Sequence, residues 1–292
     1  MVINRYSSTW LEDLRESLNT MHAEFPRTRI YALIDGVLNE NCYPFLKRYN
    51  RLPCFALYEN TPVADDETLC ISPILVEYRS DEQDIWNRLM QKTDGKPALS
   101  IIVTPESLAE LVQRLLPWCV VDAAGYTLAL SFADTRILPE LFKALTPTQL
   151  EQLCGPMLNW QYVTREAQWE ALPVPRTSIR GTDKVVLDEK QCAQLTDASE
   201  ADNVLFQLRT IDAAIVNGYS PVRAHALVRH WLACADHARI ESNANRVAIC
   251  EFGLRRPGLE SSPVIASWLQ TPAIPESFDH LQERLLAAHA ST

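Results

Sequence analysis

An α/β lobe built on a mixed sheet, followed by a C-terminal α-helical lobe, is the fold the sequence predicts. Up to about residue 180, short apolar runs alternate with amphipathic segments, the pattern of strands interleaved with helices and hairpins. After about residue 188 the apolar spacing becomes helical. The chain has 292 residues, 47% hydrophobic and 22% charged, enough for two cores and unlike a disordered chain.

Arg29–Ile34 is a continuous apolar run ended by Asp35-Gly36 and reads as a buried strand. Phe55–Tyr58 and Ile74–Tyr78 read as two more, followed by a helix over Ile85–Lys92 and the clearest strand, Ala98–Val103. Thr104-Pro105-Glu106 then offers Thr as N-cap and Pro at the first helical position. That predicts a helix to about Leu116, with Leu108, Leu111, Val112 and Leu115 on one face. Val120–Leu130 reads as a hairpin turning at Ala124-Gly125. Ile137–Leu145 predicts a short helix. Thr146-Pro147-Thr148-Gln149 opens another with capping-box spacing, and Gly155-Pro156 stops it. Asn159–Val163 and Gln168–Leu172 read as a closing hairpin.

The proline-marked stretch Pro173–Gly181 predicts a linker, which gives domains 1–180 and 186–292. The second domain's helices are expected at Ala198–Asn217, Pro221–Ile240, Asn243–Leu254 and Phe278–Ala290. On the 221–240 helix, Leu227, Val228, Trp231, Leu232, Cys234, Ala235 and Ala238 share one arc, so it faces the core of a bundle.

Charge and composition bear on function. The chain has 37 acidic against 27 basic residues, a net charge of -10, and no run of Lys and Arg. It therefore lacks the basic stripe that nucleic-acid partners require. No apolar stretch approaches the ~18 residues of a membrane span, and Met1–Trp10 carries no apolar signal core. The eight cysteines are scattered, mostly with apolar flanks as in Pro53-Cys54-Phe55, and form no C-x-x-C pair. Free buried thiols in a reducing cytoplasm are expected.

Signatures of catalysis are sparse. The eight glycines form neither G-x-G nor G-x-S-x-G. Gly253 and Gly258 have the spacing of a phosphate loop, but Leu259-Glu260 stand where Lys and Ser/Thr are needed. His230, Cys234 and His237 fall at i, i+4 and i+7 of one helix, a possible stripe of metal ligands. No second ligand motif accompanies them, and Cys234 fits a core position, so no metal is expected. Asp65-Asp66-Glu67 reads as a solvated acidic loop. Asp134 and Arg136 read as an ion pair or turn, with the carboxylate capping backbone N–H groups and the Arg bracing the neighbouring chain. No cofactor is implied.

One segment resembles a known family. Phe132-Ala133-Asp134-Thr135-Arg136-Ile137-Leu138, preceded by Gly125–Leu130, resembles the strand–Asp-Pro-Arg-Val-Leu signature of the type VI secretion effector chaperones. These are also called adaptors (Tap or TEC proteins; domain of unknown function 4123). Tyr31–Gly36 is similar to that family's opening strand, and Phe55–Tyr58, Pro73–Glu77 and Leu99–Val103 resemble later blocks in order. Leu145–Pro156 resembles its helix ending in Gly-Pro, and Ala238–Ser242 with the following helix resembles the helical tail of many members. Ala133 stands where the family tends to have an aromatic residue, and Thr135 replaces its proline, while the Asp and the Arg are kept.

The resemblance implies a non-catalytic, cytoplasmic bacterial adaptor that holds a cognate toxic effector and helps load it onto the VgrG spike. Asp35, Gly36, Asp134, Arg136, Gly155 and Pro156 would be its structural motif residues. No motif marks the residues that contact effector or spike. Two other classes stay open: a hydrolase with dispersed catalytic residues, and an immunity protein.

Overall fold

The computed structural model describes residues 2–290 apart from 63 and 180. The chain forms two compact units, Met1–Ala198 and Ser199–Thr292. The first is a helix-and-sheet unit and the second is helical, in keeping with the predicted fold class.

The first unit runs α1 (Trp10–Glu24), β1 (Arg29–Ile34), α2 (Cys42–Tyr49), β2 (Cys54–Ala56), α3 (Asp66–Ile71), β3 (Ile74–Glu77), α4 (Gln83–Gln91), β4 (Leu99–Thr104) and α5 (Leu108–Leu115). It continues with β5 (Val120–Ala123), β6 (Tyr126–Ala129), α6 (Leu138–Ala144), α7 (Pro147–Cys154), β7 (Asn159–Val163), β8 (Trp169–Ala171) and β9 (Val186–Leu187). The large sheet has the order β2-β3-β1-β4-β7-β8, and every pairing in it is antiparallel. A small sheet, β6-β5-β9, holds the parallel pairing, between β5 and β9.

Period-2 alternation sends the strands of the large sheet into two cores. Ile30, Ala32, Ile34, Ile74, Val76, Leu99, Ile101 and Val103 face one side, with Leu14, Leu18, Leu46, Trp86 and Leu89 of α1, α2 and α4. Tyr31, Leu33, Leu75, Ile102 and Trp160 face the other, with Leu111, Leu115, Leu138, Leu141 and Leu153 of α5, α6 and α7. Because both faces are covered, these strands read in sequence as unbroken apolar runs rather than as alternation.

Several boundaries differ from expectation for local reasons. The helix expected from Thr104 begins at Leu108, because Ser107 is the N-cap and forms a capping box with Glu110. Thr104 instead closes β4 and is fully buried. The capping box at Thr146 and Gln149 is present as the spacing predicts. The acidic triplet is a helix start rather than a loop: Asp65 caps α3 by accepting the Thr68 N–H at 2.7 Å, and hydrogen bonding from the Thr68 side chain, then from its backbone, lowers the carboxyl below the ordinary range. Ala124 and Gly125 both have positive φ, as a two-residue I′ hairpin turn requires.

The stretch expected to be a linker packs on the first unit. Val174 packs against its core and the Ile179 carbonyl accepts from Arg114, while just past the stretch Val185 and Leu187 are buried and β9 pairs with β5. The division between units falls instead inside α8 (Glu189–Asn217), between Ala198 and Ser199. None of the described residues from 173 to 181 is buried, so the segment is held by the packing of Val174 and the Ile179 carbonyl's bond to Arg114, with no regular apolar spacing to signal it.

The second unit contains the rest of α8, then α9 (Pro221–His237), α10 (Asn243–Leu254), α11 (Pro263–Leu269) and α12 (Phe278–Ala290). The α8 helix breaks at Asp212, which has extended backbone angles. Its core gathers Leu205, Leu208, Leu227, Val228, Trp231, Cys250, Ile265 and Leu281. Ser220 caps α9 as its sequence position predicts.

Candidate interaction site

The motif residues near residues 35 and 134 come together at one end of the large sheet. Asp35 follows β1, and its N–H donates to the Ala98 carbonyl at 2.9 Å. One residue earlier in the same partner segment, the Pro97 carbonyl accepts the Thr135 N–H at 2.9 Å. The turn carrying Asp134 is thereby laid against the segment that also pins Asp35. Both carboxylates are buried, at 3% and 5% exposure.

Asp134 and Arg136 form the ion pair expected of them. The guanidinium donates through Nε at 3.0 Å to Oδ1 and through Nη2 at 2.6 Å to Oδ2. The Asp134 Oδ1 also accepts the Arg136 N–H at 2.9 Å, an Asx-type turn. The expected helix cap is not what this carboxylate provides: α6 starts after Ile137, without a side-chain cap. Thr135 uses its N–H in the bond to the Pro97 carbonyl, a donor that a proline at this position would lack.

Asp35 pays for its position, and its carboxyl is pushed up to about 6. Burial is the main cause and the Asp134 charge the second, only partly offset by N–H groups at Leu38 and Val37 and by Arg136. Gly36 is required for a separate reason. A Cβ there would fall 2.2 Å from the Ser72 carbonyl oxygen and 2.8 Å from that of Cys70, at the end of α3.

Gly155 and Pro156 lie at a second structural node. Gly155 ends α7 with φ 51° and ψ -131°, and Arg114 lies directly beside it. The Arg114 guanidinium is buried against Glu106, with Nε at 2.8 Å and Nη2 at 2.7 Å from Oε1. It also donates to the carbonyls of Gln152 and Ile179. Sequence reasoning missed this pair. Arg114 lies on the face of a helix whose apolar residues alone signalled the core, and Glu106 looked like a first-turn acid.

The three residues of the possible metal stripe go to three different surroundings. Cys234 is fully buried in the helical core. His230 packs edge-on against Trp231 at 4.9 Å, and His237 against Trp268 at 4.6 Å. Burial lowers the His230 imidazole below its ordinary range. Among the described residues no group of three or more His, Cys, Asp and Glu could hold a metal ion. Burial also pushes the thiols of Cys42, Cys119, Cys154, Cys234 and Cys250 up to about 12. These five are therefore neutral packing groups at physiological pH, not nucleophiles.

The small sheet presents apolar surface outward. On one of its faces Val121, Ala123 and Leu187 are buried. The same face continues onto β6, where Leu128 and Tyr126 pair with Val121 and Ala123 but are 52% and 75% exposed. All four residues of β6 are exposed, and among the described residues β6 has a strand neighbour on one side only. In the second unit, Phe206 and Ile211 of α8 are exposed as well. No helix among the described residues is long and apolar enough to cross a membrane.

Residues 30–152 match the model of a protein family described as a domain of unknown function, DUF4123. The matched span runs from β1 into α7 and takes in Asp35, Gly36, Asp134 and Arg136, while Gly155 and Pro156 lie just beyond its end. No curated protein and no solved structure matches the chain.

Proposed function

We propose that this protein is a non-catalytic adaptor of a type VI secretion system, which binds a cognate toxic effector in the bacterial cytoplasm and helps load it onto the VgrG spike. The observation that carries the reading is the DUF4123 match over residues 30–152, a family associated with type VI effector adaptors. The neutral, buried state of five of the eight thiols agrees with a binding role.

The test is co-expression of the full chain with the products of its neighbouring genes. A stable complex with a toxin-domain protein, together with loss of that toxin from the secreted fraction when the gene is deleted, is the expected result. Neutralisation of the toxin's activity by binding alone, with secretion unchanged on deletion, would make the protein an immunity factor instead.

A further inference from the structure

A cleft of about 570 Å³ lies between α2 and α4 on the first unit. Its apolar part is Pro44, Phe45 and Tyr49, and its charged part is Arg48, Arg88 and Lys92. No carboxylate lines it. The two aromatic rings sit 4.8 Å apart. Lys92 Nζ lies 5.0 Å from the Phe45 ring centroid, and Arg88 Nη1 donates to the Tyr49 hydroxyl at 3.4 Å.

Among the described residues none of these three cations has a carboxylate partner, although their neighbours do. Lys47 pairs with Glu59 and Arg51 with Glu82, on either side of Arg48 in sequence. A chain with 37 acidic and 27 basic residues has carboxylates to spare. Here three cations line one cleft and no carboxylate lines it with them. Arg48 and Arg88 lie in the last turns of their helices, and a cation there gains ~0.3–1 kcal/mol from the helix dipole. That accounts for one cation per helix. It does not account for the convergence of both, with Lys92, around one aromatic floor.

We propose that this cleft docks an acidic segment of a partner protein, one that presents carboxylates to Arg48, Arg88 and Lys92 and an apolar side chain to Phe45 and Tyr49. Guanidinium groups bind carboxylates in paired hydrogen bonds, and the aromatic floor supplies apolar contact beneath them. A short acidic segment feels mainly this local charge, since screening confines the interaction to about 8 Å at physiological salt. A long polyanion also meets the net charge of -10, which opposes it. The inference stands on the cleft itself and does not require the adaptor reading.

The experiment uses the full chain and fluorescence anisotropy with three labelled probes. These are a short Glu-rich peptide carrying one Phe and one Leu, the same peptide with every Glu replaced by Lys, and a short oligothymidylate. Saturable binding of the acidic peptide is expected, weakening with salt and weakened roughly tenfold or more by the double substitution Arg48→Glu, Arg88→Glu. Both arginines are exposed, so an unchanged melting temperature checks that the variant is folded. The reversed variant is also expected to gain binding to the Lys peptide. Equal binding of the acidic and Lys peptides to the unmodified chain, or acidic-peptide binding untouched by the double substitution, overturns the proposal. Tighter binding of oligothymidylate, lost in the same variant, overturns it in favour of a nucleic-acid site.

Discussion

Arg114 occupies the space into which any side chain at Gly155 would project: a Cβ there would lie 2.1 Å from Arg114 Cζ. The tip of a long side chain can usually move aside. This one is held by Glu106 and by two backbone carbonyls, in a site where its side chain is 9% exposed. The backbone of Gly155, at φ 51° and ψ -131°, is also one that only glycine adopts readily. Gly155→Ala is therefore expected to cost on the order of 3 kcal/mol, through backbone strain and displacement of a buried ion pair. Denaturant unfolding of the full chain measures it. In a double-mutant cycle with Arg114→Ala the steric part should vanish and the backbone part remain. A loss well below 1 kcal/mol would mean that neither the backbone strain nor the displaced guanidinium is felt.

How much of this was legible in the sequence depends on whether the signal was local. The strand at Arg29–Ile34, the capping box at Thr146 and Gln149 and the stop at Gly155 rest on near neighbours in the chain, and they lie where the pattern puts them. The approach of Asp35 to Asp134 rests on β1 and the Phe132–Leu138 turn sharing the Pro97-Ala98 segment, a long-range fact that no spacing encodes. The same holds for Arg114 with Glu106 and Gly155. The α1 helix escaped notice because its buried stripe is four residues, Trp10, Leu14, Leu18 and Met21, set among polar ones. The α2–α4 cleft could not be seen because Arg48 and Arg88 are each unremarkable on their own helices.

Asp134→Asn tests the ion pair. Asparagine keeps an oxygen for the Arg136 N–H but removes the charge facing the guanidinium. A loss of about 1.5–3 kcal/mol is expected, the range for hydrogen bonds to charged groups. Arg136→Gln should cost a similar amount, and the two losses should be clearly less than additive. Additive losses in thermal or denaturant unfolding would show that the two side chains act separately.

Asp35 sets a pH dependence whose sign follows from its position. Its carboxyl titrates at about 6 in the folded chain and near its ordinary value, ~3.9, when unfolded. The folded state thus holds a proton that the unfolded state has released. The group favours folding fully below the unfolded value and loses that contribution as pH rises from about 4 through 6. Asp35→Asn keeps an acceptor for the Leu38 N–H, now 3.1 Å from Oδ1, and cannot ionise. It is expected to stabilise the protein by on the order of 2 kcal/mol at pH 7.5 and to change it little at pH 4. Asp134→Asn should shrink the same pH dependence, since it removes a repelling charge. Melting curves at the two pH values decide the matter, and equal effects of Asp35→Asn at both would place the titration elsewhere.

Gly253 and Gly258 share the spacing of a phosphate loop, and the structure gives each a different task. Gly253 is buried in α10, where a Cβ would fall 2.1 Å from Trp231 Cε2 and Nε1. Trp231 is fully buried at the centre of the helical core and has no room to retreat. Gly253→Ala gains about 1 kcal/mol of helix propensity but must separate the two helices or force the indole off its rotamer. A net loss of about 2 kcal/mol is expected. Gly258 has open space around its Cα but a φ of 91°. Its replacement by Ala carries only backbone strain, on the order of 1 kcal/mol. Thermal unfolding of the two full-length variants should therefore rank Gly253→Ala as the more damaging, with neither changing any affinity for ATP or inorganic phosphate. Equal small losses of stability, accompanied by loss of nucleotide binding in both, would restore the phosphate-loop reading.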